Sequence, residues 1–133
     1  VVRWSEENTE WINEKGYRSF LNKEAIAGML GWMYKAYPEV RNYQKALEYL
    51  TFAADNNRPY AMNNLGLMYL RGEGVKPNPK KAFKLFKRSA SYGNHWAHEN
   101  IADYYLLGVG GIKKNYTNSL NILSDFIIAQ AKK

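Results

Sequence analysis

Apolar and small residues recur with the period of an α-helix along most of this chain. Between Lys80 and Ser91 they lie at i, i+3, i+4, i+7 and i+8: Ala82, Leu85, Phe86, Ser89 and Ala90. This spacing places them on one face of a helix. The segments Tyr43–Ala54 and Tyr116–Ile128 carry the same pattern. The sequence therefore predicts three amphipathic helices at regular intervals.

A second segment precedes each of these helices and is itself repeated. Ile26–Tyr34 aligns with Ala61–Tyr69 at an offset of 35, and both contain Leu-Gly-x-Met-Tyr. Ala97–Tyr105 follows at an offset of 36 and keeps the final tyrosine. Each repeat is then a pair of helices, and such pairs at a fixed period of about 36 residues predict an α-solenoid.

The segments between the helices contain residues that favour turns and helix ends. Gly72-x-Gly74 and Gly108-x-Gly110 can adopt positive φ just after a helix. The pair Asn78-Pro79 suits a helix cap followed by proline in the first turn. We interpret these residues as turn chemistry, since neither Gly-rich stretch matches a phosphate-binding motif.

Both ends of the predicted solenoid need a cap. At the N-terminus, Ser5–Lys15 is interpreted as an acidic helix that begins at Ser5 and packs through tryptophans. At the other end, the last helix keeps apolar residues that must pack inward or contact a partner. We expect one domain: a capping helix and linker over 1–22, then repeats over 23–57, 58–93 and 94–133.

The middle repeat, residues 61–93, resembles the Sel-one-like repeat, a relative of the tetratricopeptide repeat. The matching positions are Ala61, Leu65, Gly66, Tyr69, Gly72, Gly74, Val75, Lys81, Ala82, Ala90 and Gly93. The resemblance extends roughly over 25–128, although the first repeat lacks the Gly-x-Gly-Val turn. It implies an all-α fold: a short right-handed solenoid of about three helix-turn-helix repeats that serves as a binding platform.

The resemblance also places a concave groove on a face of the first helices that is distinct from their core face. We expect a partner to contact this groove, because aromatic residues and Arg anchor protein interfaces. A face that is merely solvated is the alternative. The expected contact residues are Trp32, Tyr60, Asn63, Asn64, Leu67, Arg71, Trp96, Glu99, Asn100 and Asp103.

The net charge of +7 is concentrated in one part of the chain. Between Arg71 and Gly93, seven basic residues against Glu73 give +6, which leaves +1 for the rest. Most of these charges lie on one helix, opposite its apolar face. We favour a solvated outer face over a nucleic-acid site, since no stacking aromatics accompany the lysines. The basic patch consists of Lys80, Lys81, Lys84, Lys87 and Arg88.

Candidate catalytic and metal-binding chemistry is sparse. The chain has no cysteine, which excludes thiolate metal sites and cysteine nucleophiles. His95 and His98 are the only histidines, and they match no metalloprotease motif. No nucleophile is paired with a suitable base. We therefore predict a protein that is not an enzyme and that uses no cofactor or metal.

The sequence favours a non-catalytic protein-interaction module. The alternative, drawn by analogy with small Sel-one-like proteins that accompany bacterial toxins, is an immunity protein that neutralises a toxin or effector. No apolar stretch is long enough to cross a bilayer. We favour the cytoplasm as the location, with the periplasm as the alternative if a signal peptide was removed.

Overall fold

The computed structural model describes residues 3–5, 10–12, 18–20 and 23–132, and helices dominate it. Each helix packs against the next one along the chain, so consecutive helices pair into helix-turn-helix repeats. The helices in these ranges are α1 (Lys23–Ala36), α2 (Tyr43–Asp55), α3 (Pro59–Arg71), α4 (Pro79–Ser91), α5 (His95–Leu107) and α6 (Tyr116–Ala131). The predicted solenoid of paired helices is confirmed.

The N-terminal segment differs from the prediction. Instead of a helix over Ser5–Lys15, the described residues form three short antiparallel strands: β1 (Arg3–Ser5), β2 (Glu10–Ile12) and β3 (Arg18–Phe20). Trp4 lies directly opposite Trp11 in this sheet. Trp and Ile favour strands, and here that preference prevails over the acidic pattern of a helix start. The remainder of the predicted capping helix lies outside the described residues.

In each repeat, the second helix has an asparagine as its N-cap. The side chains of Asn42, Asn78 and Asn115 each accept a hydrogen bond from the backbone N–H three residues later. These bonds satisfy amides that have no partner within the helix. Asn94 caps α5 in the same way. The cap predicted at Asn78 is confirmed, with Pro79 in the first turn.

Glycine ends the first helix of repeats two and three. Gly72 and Gly108 follow α3 and α5 with φ of 71° and 69°, in the left-handed region. Their N–H groups bond to Met68 O and Tyr104 O, which closes each helix. The turn role predicted for these glycines is confirmed.

The core runs continuously between the repeats. One cluster joins α1, α2 and α3, and a second joins α3, α4, α5 and α6. Two buried serines bond to main-chain carbonyls of neighbouring helices: Ser89 Oγ donates to Pro59 O at 2.6 Å, and Ser119 Oγ to Ala102 O at 2.9 Å. Their hydroxyl groups are therefore buried without losing hydrogen bonds.

The first helices of the repeats form the inner row of the solenoid. α1 contacts α3 directly, and an asparagine side chain of α5 bonds to one of α3. Helices on the inside of a curved stack approach each other more closely than those on the outside. The row α1, α3 and α5 is accordingly the concave side, and α2, α4 and α6 form the convex side.

Across residues 23–132, none of the helices combines the length and the apolar character that a bilayer span requires.

Candidate partner-binding face

The residues predicted for the groove all lie on the inner row, but they differ in exposure. Trp32 comes from α1, five of the others from α3, and four from α5. The exposed members extend over the last two repeats, and Trp32 adds a half-buried ring from the first. Leu67 is half-buried and packs against the second core cluster. We call the following set the concave face: Trp32, Tyr60, Arg71, Trp96, Glu99 and Asp103.

Three of the predicted asparagines form hydrogen bonds within the inner row: one bond joins α3 to α5, and the other lies within α3. Asn63 is 6% exposed and its Oδ1 accepts a hydrogen bond from Asn100 Nδ2 at 2.8 Å. Asn64 is 8% exposed, and its Nδ2 donates to Tyr60 O at 3.0 Å. These polar side chains are buried because the neighbouring helices pack closely around them, and the hydrogen bonds offset the cost. They lie beneath the exposed residues of the concave face.

Aromatic residues from the first two repeats lie beside each other on the concave face. The rings of Trp32 and Tyr37 pack edge to face, with centroids 5.2 Å apart. Burial raises the pKa of Tyr60; a hydrogen bond with Asn64 opposes this shift and proximity to Tyr37 adds to it. Tyr37 therefore belongs to this aromatic group, although it follows α1. No sequence pattern indicated Tyr37, because it lies in the irregular loop of the first repeat, outside the helices.

Charge is divided along the concave face. Arg71 lies at the end of α3, close enough to Lys35 to influence its ionisation. Glu99 and Asp103 are exposed one turn apart on α5. Trp96, also on α5, is 51% exposed. The face is thus basic near the first two repeats and acidic at the third, with aromatic rings at both ends.

An ion pair between repeats supports the basic end. Lys35 Nζ lies 3.7 Å from Glu73 Oε1, and the two side chains are only 11% and 18% exposed. Burial lowers the pKa of Lys35, and Arg71 and Arg41 lower it further, whereas Glu73 opposes the shift. No sequence pattern indicated this pair, because its members are far apart in the chain and belong to different repeats.

The basic patch lies on the convex side. All five residues are exposed. Lys81 Nζ lies 4.4 Å from the centroid of the Tyr69 ring, and Arg88 Nη2 donates to Asn57 Oδ1 at 2.7 Å. The ammonium group of Lys81 therefore lies over the face of the Tyr69 ring, while the side chain as a whole stays exposed.

The two histidines take part in local packing. His98 Nδ1 lies 2.8 Å from Asn94 O, and its ring packs 4.6 Å from that of Phe126. The His95 ring packs against Trp96 at 4.0 Å. Among the residues that the structure describes, no three His, Cys, Asp or Glu side chains come together in a group that could hold a metal ion.

These features define a class: a helical-repeat scaffold whose first helices form one concave row. A family model for the Sel1 repeat matches three times, over residues 29–57, 59–94 and 97–123. The chain belongs to the Sel1 repeat family. Repeats of this family generally form non-catalytic scaffolds for protein–protein interaction.

Curated relatives share the repeats but are much longer. The chain is 47% identical over 55 residues to an ERAD-associated E3 ubiquitin-protein ligase component, HRD3B, of Arabidopsis thaliana, covering 40% of the chain and 9% of that protein. It is 30% identical over 99 residues to DAP3-binding cell death enhancer 1 of Rattus norvegicus, covering 70% and 19%. The chain therefore spans less than a quarter of the length of these relatives.

Solved structures of bacterial proteins have the same fold. A Sel1 repeat protein from Oxalobacter formigenes superposes with a TM-score of 0.72 at 22% identity, covering 81% of this chain and 82% of that one. The protective antigen c5321 of uropathogenic Escherichia coli, which has an SLR fold, gives 0.69 at 28% identity, covering 80% and 23%.

Proposed function

We propose that this chain binds another protein through the concave face and acts by that binding alone. The observation that supports the proposal most directly is the exposure of Trp96, Arg71, Glu99 and Asp103 on the inner row of a Sel1 repeat solenoid. Large aromatic rings and Arg supply most of the binding energy at protein interfaces. Two curated relatives are named for association with other proteins, which is consistent with this role.

The charge division predicts how the partner is oriented. Acidic groups of the partner would lie near Arg71 and the first two repeats, and basic groups near Glu99 and Asp103. Complementary charges raise the association rate and fix the register of a complex. The aromatic rings at the two ends of the face would then contact apolar side chains of the partner.

Affinity purification with quantitative mass spectrometry tests this function. The bait is the full chain, as wild type, as the concave variant Arg71→Ala/Trp96→Ala, and as the convex control Lys45→Ala/Tyr116→Ala, whose substituted residues are also exposed and lie outside the basic patch. We expect at least one protein to be retained by wild type and control and lost by the concave variant. Equal retention of every protein by all three baits would reject the concave face as the binding surface.

A narrower form of the proposal is an immunity protein that binds a bacterial toxin. It would use the same preformed face, with Arg71 and Trp32 as anchors and the convex basic patch meeting an acidic toxin domain. Co-expression with the product of the neighbouring gene tests it: wild type should restore growth, and Trp32→Ala/Arg71→Glu should not. A harmless product that forms no complex with the chain would reject this narrower form.

A further inference from the structure

The last helix, α6, is apolar on two sides. Its inner side packs against its neighbours through residues that include Ser119, Ile122 and Phe126. On its outer side, Leu120, Leu123 and Ile127 lie at i, i+3 and i+7 and are 69%, 38% and 66% exposed. A helix whose outer side met only water would be expected to carry polar residues there. We call these three outer residues the end face.

The same three repeat positions are covered in the preceding repeats. Ala46, Ala82 and Ser119 are equivalent and buried, which fixes the register of the alignment. In that register the end face corresponds to core residues of the inner repeats. The first helix of the same repeat covers part of these residues, and the next first helix covers the rest. The equivalents of Leu120, Leu123 and Ile127 are Leu47, Leu50 and Ala54 in α2, and Phe83, Phe86 and Ala90 in α4.

The packing of α5 on α4, which we call an inner joint, shows how such a face is covered. The Phe83 ring lies 4.9 Å from Tyr104 and 6.1 Å from Tyr105, and the Phe86 ring lies 5.9 Å from Tyr104. Phe86 is fully buried, between Tyr104 of α5 and Gly66 of α3. The end face repeats the large apolar residues of this joint, so α6 presents a preformed surface for one more helix.

Ile127 determines the size of the side chain that the docked helix must place opposite it. Where the inner joints have Ala54 and Ala90, α6 has the larger Ile127. A close-packed contact holds a fixed total volume of side chains. Because Ile127 is larger than alanine, a helix docked on α6 must carry a small residue opposite it. In the inner joint, His98 lines the same cavities as Ala90. A small residue at the position of His98 would therefore make room for Ile127.

Charge favours an acidic occupant over a second copy of the chain. Each chain carries +7, so two copies repel each other. The ends of α6 are flanked by Lys113, Lys114 and Lys132, whereas Asp125 is the one acidic residue between Ile112 and Lys132. α5, which occupies the equivalent joint on α4, carries Glu99 and Asp103 and no lysine or arginine.

We propose that the end face docks an acidic amphipathic helix of a partner protein, packed on α6 as α5 packs on α4. This helix would present a small residue to Ile127 and larger apolar residues to Leu120 and Leu123. Helix-in-groove recognition of this kind uses anchors spaced at i, i+3 or i+4 and i+7. The surface is separate from the concave face, and either one can bind without the other.

A helical peptide with the sequence of α5 is the probe. It comprises residues 95–107 with His98→Ala, a fluorescent label, and a hydrocarbon staple in place of Trp96 and Asn100, which belong to the concave side. The staple removes most of the cost of forming a short isolated helix. The peptide retains Ile101 and Tyr104, which pack in the inner core cluster. Fluorescence anisotropy measures its binding to the full chain.

Binding of the peptide is compared between three versions of the full chain. Wild type should bind the peptide saturably, and more weakly as salt is raised. Leu123→Asn/Ile127→Asn should weaken binding by at least about tenfold. The control Ile128→Asn should bind like wild type, because Ile128 is 52% exposed on the same helix and its equivalents, Asp55 and Ser91, are exposed in the inner repeats.

Three outcomes would overturn the proposal. The first is no binding by wild type at about 100 μM peptide, since a preformed joint should reach this affinity. The second is equal binding by wild type and the Leu123→Asn/Ile127→Asn variant. The third is a dimer of the wild-type chain in sedimentation velocity that this variant dissociates, because a second copy would then occupy the end face.

Discussion

Two helical glycines differ in what surrounds them, and this difference predicts opposite effects of adding a methyl group. A Cβ atom on Gly66 would lie 2.6 Å from Phe86 Cε1, inside the contact distance of two carbons. Phe86 is fully buried and packs against Tyr104, so it has no room to move. A Cβ on Gly28 would lie 3.7 Å from Ala53 Cβ, an ordinary contact.

Gly66→Ala should therefore lower the free energy of unfolding by about 1–3 kcal/mol through overpacking. Gly28→Ala should raise it by about 0.5–1 kcal/mol, because alanine favours the helix and fits the space. Urea unfolding followed by circular dichroism measures both. A Gly66→Ala chain as stable as wild type would mean that α3 and α4 do not approach closely at this position.

The raised pKa of Tyr104 predicts how the free energy of unfolding changes at high pH. Burial raises its pKa from 10.0 to about 12, and its hydroxyl donates to Pro79 O at 2.6 Å. Between these two values the unfolded chain loses the proton and the folded chain keeps it. The free energy of unfolding therefore falls as pH rises from about 10 to 12.

Tyr104→Phe should cost about 1 kcal/mol near pH 7, because Pro79 O loses its donor. The variant should lose less stability than wild type between pH 10 and about 12. Thermal unfolding across this range measures the difference, and subtracting the two curves removes the contribution of the other tyrosines. Parallel curves for the two chains would contradict a buried, protonated hydroxyl at residue 104.

At the scale of elements, the Lys35–Glu73 pair ties the end of α1 to the loop between α3 and α4. Glu73→Gln would leave the buried Lys35 without its compensating charge and beside Arg71 and Arg41. We expect a loss of about 1–3 kcal/mol in the free energy of unfolding. Urea unfolding in low salt gives the value.

The matched control for this pair is Glu39→Gln. Glu39 is exposed, so the same chemical change there should stay within about 0.5 kcal/mol of wild type. Equal losses for both variants would show that overall charge, and not the ion pair, sets the stability. In that case the pair would not couple the first two repeats.

Elements with strong periodicity were predictable from the sequence. The repeated Leu-Gly-x-Met-Tyr segments and the Gly-x-Gly turns located the helices of the repeats, because a helix must bury one face at every turn. The N-terminal strands were not predictable in this way. Strand pairing brings together residues such as Trp4 and Trp11, which are separated in the sequence, and a short segment carries too little pattern to show it.

At the scale of the whole molecule, the sequence predicted a face of the first helices distinct from their core face, but not which residues on it stay exposed. Asn63 and Asn100 were expected to face a partner, yet they bond to each other between α3 and α5. Their exposure depends on the spacing of helices from different repeats. The end face can likewise be recognised only in the structure, because only the packing of the helices shows that Leu123 is partly exposed.

The central claim is that a protein partner binds the concave face, and an affinity measurement with the purified partner tests it most directly. The comparison is between Trp96→Ala and Tyr116→Ala, which remove aromatic rings that are 51% and 58% exposed on opposite sides of the solenoid. Isothermal titration calorimetry should show the Kd raised at least about tenfold by Trp96→Ala and left within about twofold by Tyr116→Ala. An unchanged Kd for Trp96→Ala, or an equal rise for both variants, would contradict the account.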